Sequence, residues 1–121
     1  MRKTLPKRKE KGQSVARNKR IGVTWLQVRL KMRIEEVISH LEQWAPPILQ
    51  ESYDNSGLLV GNKQNEITNV LVSLDCTEDV VEEAIAKNCN LIVSHHPIVF
   101  KGLKRFTGAD YVQRTIIKAI Q

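Results

Sequence analysis

From residue 32 onward the apolar positions recur with two different periods. Ile34, Val37, Ile38, Leu41 and Trp44 follow the i, i+3, i+4, i+7 spacing of an amphipathic helix. Pro46 and Pro47 stop that helix, because proline offers no amide donor and restricts the residue before it. Residues 50–57 (QESYDNSG) are polar and turn-rich and predict a loop. Residues 58–60 predict a short apolar strand ended by Gly61 and Asn62, and residues 69–75 (NVLVSLD) predict a second strand. Thr77 is placed to cap a helix whose first turn holds Glu78 and Asp79, where carboxylates favour the positive end of the dipole. That helix carries Val80, Val81, Ala84 and Ile85 on one side and ends near Asn88. Residues 90–94 (NLIVS) form a continuous apolar run of the kind buried in a parallel sheet. Residues 110–120 predict a last helix, with Val112, Ile116, Ile117 and Ile120 as its apolar side.

Strand, helix and strand at this spacing make a βαβ unit, hence a parallel pair joined by a right-handed crossover. In open parallel sheets ligands gather outside the carboxyl ends of the strands. Asp75 ends one strand, and His95 and His96 follow the other, so topology places three polar side chains on one rim. Imidazole is a ligand for Zn, Fe, Ni or Mn, each neutral ring offering one nitrogen. Inside a strand two adjacent side chains point to opposite faces. Just past the strand that limit relaxes, and Pro97 biases His96 towards extended backbone, so the corner can aim two rings at two different ions. A further partner is expected to fix the tautomer of each ring, without being identifiable from sequence. Asp75 is expected to cap the following helix or order its loop, rather than to bind metal.

Other chemistries have less support. There is no GxxxxGK[ST], GxGxxG or GxSxG motif. Cys76 has no histidine close in sequence to activate it, and His40 lies within the first helix as a surface residue. Lys101, Lys104 and Arg105 read as a solvated loop after the histidines, with attraction of an anionic substrate as the alternative.

Composition narrows the class without changing it. The chain has 121 residues, 41% hydrophobic and 26% charged, enough for one soluble domain with a modest core. No apolar stretch approaches the roughly 18–20 residues that cross a bilayer, and no secretory pattern follows the start, so the expected compartment is the cytoplasm, with no membrane partner. Cys76 and Cys89 form no CxxC pair and read as reduced, structural thiols.

The net charge of +6 is unevenly divided. Residues 1–31 hold eleven Lys/Arg against the single acid Glu10, a net +10, whereas residues 32–121 sum to −4. A basic, disordered extension over residues 1–31 is therefore expected ahead of a mildly acidic globular part. Three explanations compete for it: an arm that binds nucleic acid through phosphate contacts, a mitochondrial presequence poor in hydroxyls, or a true start at Met32. The last is the favoured one.

Three segments together resemble the NIF-three-like family, whose members are commonly named GTP cyclohydrolase I type 2 homologs. These are YDNSGLLVG at 53–61, VLVSLDCTEDVVEEAI at 70–85 and LIVSHHPIVFKGLKRF at 91–106. The resemblance runs from about Met32 to Gln121 and covers none of residues 1–31. It implies an α/β fold, the N-terminal part of a NIF-three-like dinuclear metal domain over residues 32–121. It further implies two divalent metal ions, with His95 and His96 each a ligand to one, and a ring-shaped homo-oligomer. The metal identity is left open among Zn, Fe, Mn and Ni. The loop holding Asp54, Asn55 and Gly57 matches one near the family's site, with no ligand role carried over. Family members resemble metal-dependent hydrolases acting on an unsettled small-molecule substrate, and they continue past the equivalent of Gln121 with further ligands. The expectation is thus an incomplete chain that binds metal weakly and catalyses little. The alternative function is a non-catalytic interaction protein whose basic arm binds nucleic acid.

Overall fold

The structure, a computed structural model, describes residues 15–18, 23–27 and 31–121. Its elements are β1 (Val15–Asn18), β2 (Val23–Gln27), α1 (Ile34–Trp44), a 3-10 turn (Pro47–Leu49), β3 (Asn69–Ser73), α2 (Glu78–Ala86), β4 (Leu91–Ser94) and α3 (Tyr111–Ile120). The four strands form one sheet in the order β1-β2-β3-β4. Only β3 and β4 are parallel, with Val70 level with Leu91 and Ser73 level with Ser94. The predicted βαβ unit is therefore present, with α2 as its crossover.

Alternation along β3 divides the core between the two faces of the sheet. Leu71 points to one side and packs with Val80, Ala84, Cys89 and Ile92, joining the sheet to α2. Val70 points to the other and packs with Ile34 and Ile67, against which Val37, Ile38, Leu91 and Val93 lie. Adjacent residues therefore serve opposite layers, as the two-residue pleat requires. The third helix is held beside α2 by Arg114 on Glu78 and by Lys118 on Glu82, with Thr115 and Ile116 buried beneath. Asp110 caps α3, its Oδ1 accepting from the Gln113 amide at 2.9 Å. Thr77 caps α2 by accepting from Val80, as its position predicts. The apolar stripe of α1 outruns the core: Leu41 is half-buried at best, and Trp44 is 88% exposed.

Two predicted features differ. Residues 58–60 are not a strand; no strand among the described residues pairs with them, and they pass between Gly57 and Gly61, at φ +116° and +107°. In that left-handed region a side chain would be strained. Within the basic extension, Val15–Asn18 and Val23–Gln27 are strands, where a disordered segment is expected. The physical reason lies in β3, whose outer edge needs a ladder partner, and in the uncharged, β-favouring residue types of VTWLQ. The nucleic-acid arm, the presequence and the start at Met32 all concern a segment most of which lies outside the described residues. Among the described residues no helix is long and apolar enough to cross a membrane.

Candidate metal centre

The carboxyl ends of β3 and β4 form the rim foreseen from topology. Past the strands the two chains stay linked, the His95 amide donating to the Ser73 carbonyl at 3.2 Å and the His96 amide to the Leu74 carbonyl at 2.9 Å. The Ser94 hydroxyl donates to the His96 carbonyl at 2.9 Å, which tightens the corner just before Pro97. The backbone beneath the histidines is thus held by three hydrogen bonds, while both side chains face solvent. Their ring centroids are 4.9 Å apart and the planes are inclined by 55°, so the rings do not stack in parallel.

Asp75 reaches the same rim. Its Oδ1 lies 2.7 Å from His96 Nδ1. The helix cap expected of Asp75 is supplied by Thr77 alone, and the carboxylate turns to the imidazole instead. Because a carboxylate only accepts, a neutral His96 ring must carry its proton on Nδ1, which leaves the Nε2 lone pair outward. Among the described residues the His95 side chain has only its ring contact with His96.

The donors present match what a pair of divalent ions needs from two imidazoles, one outward nitrogen per ring. They do not complete either coordination sphere: among the described residues no group of three or more His, Cys, Asp or Glu side chains is gathered to hold an ion. Protein zinc sites commonly use three or four protein ligands, so the rim by itself falls short of such a centre.

The neighbouring loops are tied to the segment that follows the histidines. Asn55 Nδ2 donates to the Val99 carbonyl at 2.7 Å, which joins the predicted 50–57 loop to it. Inside that loop the Ser56 hydroxyl donates to Gln50 Oε1 at 2.7 Å. A cavity of about 210 Å³ lies alongside, lined by Asn55, Leu59, Val60, Val99, Leu103 and Phe106, with Ile116 at its floor. None of Asp75, His95 or His96 lines it. Lys101, Lys104 and Arg105 are exposed, and His40 sits on the open side of α1. Burial raises the Cys76 thiol above its ordinary value, as it does for Cys89, so both stay protonated and unreactive near neutral pH. Both are free thiols, Cys89 buried and Cys76 partly so.

A parallel strand pair whose carboxyl ends carry two adjacent imidazoles, one in contact with a carboxylate, defines an α/β protein with a histidine-bearing rim. Residues 32–121 match the family described as Duf34/NIF3 (NGG1p interacting factor 3), and the chain belongs to that family. It is 40% identical over 91 residues to a Clostridium acetobutylicum GTP cyclohydrolase 1 type 2 homolog, covering 75% of this chain and 34% of the relative. It is 48% identical over 80 residues to a Staphylococcus epidermidis protein of the same name, covering 66% of this chain and 22% of that one. Among solved structures, Staphylococcus aureus protein SA1388 superposes with a TM-score of 0.69 at 43% identity, over 74% of this chain and 25% of its own. The chain therefore spans about a third or less of the length of these relatives.

Proposed function

We propose that this chain contributes the N-terminal part of a dinuclear divalent-metal centre in a hydrolase-like protein, with His95 and His96 each holding one ion. The observation that carries this reading is the 2.7 Å contact between Asp75 Oδ1 and His96 Nδ1, which presents Nε2 outward. A ring held in this way by a carboxylate is the arrangement that accompanies metal-ligating histidines in general. The family membership and the relatives' name, GTP cyclohydrolase 1 type 2 homolog, support the hydrolase class without fixing a substrate.

The roles of the residues follow from their chemistry. Ser94 and the two rim amides hold the histidine backbone, Asp75 orients one ring, and the exposed rings face the solution from which a small molecule arrives. Bound divalent ions would supply Lewis acidity towards a carbonyl or phosphoryl oxygen of that molecule. Two imidazoles leave each ion short of the three or four protein ligands of a typical zinc site, so the described residues by themselves would hold ions weakly.

Only three histidines occur in the sequence, which makes the test specific. Titration with Mn²⁺, followed by NMR of the imidazole C–H signals, is expected to broaden His95 and His96 well before His40. Loss of all three signals in parallel, or of none, contradicts the proposal. Retention of about two ions per chain after dialysis would contradict the weak binding.

A further inference from the structure

The two histidines of the rim are neighbours in sequence but unlike in surroundings. The offset of 21 residues that relates Val70 to Leu91 also relates Asp75 to His96. By that offset His95 stands level with Leu74, whose side chain has no acceptor. The register therefore gives His96 a carboxylate and His95 none, although the two rings stay 4.9 Å apart beyond the strand end. Asp75 is free for this because Thr77 caps α2, and its carboxylate makes no other hydrogen bond to the described side chains than that to His96. The pair is open to water, at 50% and 58% side-chain exposure, so it adds little to folding. What it does fix is which nitrogen of His96 carries the proton.

We infer that Asp75 is a positioning residue that commits His96 to bind its ion through Nε2, and that the two ion positions are consequently unequal, the one at His96 filling first. The second part rests on the metal reading proposed above; the first does not. A carboxylate behind an imidazole raises its basicity as a ligand and removes the wrong tautomer from competition. His95 keeps both tautomers available, so part of its population presents a protonated nitrogen to any ion that approaches. The unequal filling arises within the protein's own rim, before any outside ligand is considered.

The test uses the whole chain with ¹⁵N-labelled imidazoles at about pH 8, above the range in which an ordinary imidazole holds its second proton. Long-range ¹H–¹⁵N correlation reads the tautomer of each ring without metal. His96 is expected to show a protonated Nδ1 and a bare Nε2, and His95 an averaged pattern like that of His40. In Asp75→Ala, His96 is expected to become averaged while His95 is unchanged. In Asp75→Asn, whose amide oxygen can still accept, the Nδ1–H tautomer is expected to persist. Mn²⁺ titration of the same samples is then expected to broaden His96 before His95 in the parent chain. In Asp75→Ala the Mn²⁺ concentration needed for His96 should rise about ten- to a hundred-fold, with His95 shifted far less. A parent chain in which His96 is averaged, or an Asp75→Ala chain that keeps the Nδ1–H tautomer, overturns the positioning role. A correct tautomer with both rings broadening together overturns the unequal filling. A correct tautomer with neither ring broadening removes the metal reading and the filling order, and leaves Asp75 holding the ring.

Discussion

The two ends of the β3–β4 pair use their polar groups in opposite ways. At the amino end, nearly every side-chain donor is turned back on the chain. Asn90 accepts from the Thr68 amide at 2.9 Å and donates to the Glu66 carbonyl at 2.7 Å. The Thr68 hydroxyl and Asn69 Nδ2 both donate to the Asn88 carbonyl, at 2.7 and 3.1 Å, where Asn88 turns with φ 54°. At the carboxyl end, Ser94 and Asp75 fix the backbone and one ring, but the ring nitrogens that remain point to solvent. A strand pair has the same backbone chemistry at each end, so the contrast comes from side-chain type. Side-chain amides that donate and accept within the chain close a loop, even with Asn69 Oδ1 left without a partner, whereas an imidazole behind a carboxylate leaves a lone pair for something else.

The expected outcomes separate the two ends. The largest effect should come from Leu71→Ala at the centre of the pair, where the side chain is fully buried against α2. A loss of about 2–5 kcal/mol in denaturant-measured stability is expected. Asn90→Ala removes two bonds at the amino end and should cost about 1–2 kcal/mol while leaving the tautomer of His96 and its metal response intact. Thr77→Ala should cost about 1 kcal/mol through the lost α2 cap. A weakened His96–Asp75 contact in that variant would show that the cap, rather than strand register, places Asp75.

Acid sharpens the comparison from outside the pair. The backbone amide of Gln113 holds the Asp110 carboxyl below its ordinary value of 3.8. Its contribution is therefore complete above that value and lost as pH falls through the lowered folded value. Amide exchange in α3 should accelerate there, and Asp110→Asn, which keeps an acceptor but cannot titrate, should remove that pH dependence. The smallest effect on stability is expected for His95→Ala and His96→Ala, within about 0.5 kcal/mol, since both side chains are exposed. Each should nonetheless leave only one anomalous metal peak in Zn²⁺-soaked crystals, which inverts the behaviour of Asn90→Ala.

The helices and the parallel strands were readable because their periodicity is strong and two of their limits are chemical: Pro46 follows the end of α1 and Thr77 caps the start of α2, as their residue types require. The apolar triplet at 58–60 misled because a strand needs a partner, which local pattern does not reveal. β1 and β2 were hidden by the basic residues around them, although the uncharged VTWLQ at Val23–Gln27 carried the signal. The rim itself followed from topology, and the histidine pair from residue type. The role of Asp75 did not, because two claims on one carboxylate, cap or imidazole, are decided by register across 21 residues. Which further side chains would join the two histidines was not readable either, and among the described residues no group of three or more His, Cys, Asp or Glu side chains is gathered there.

The central claim is that two adjacent rings serve two ions. Anomalous scattering from crystals of the chain soaked in Zn²⁺ tests it most directly. Two separate peaks are expected, one at His96 Nε2 and a weaker one at the His95 ring. A single peak shared by both rings, or peaks remote from them, would contradict the account.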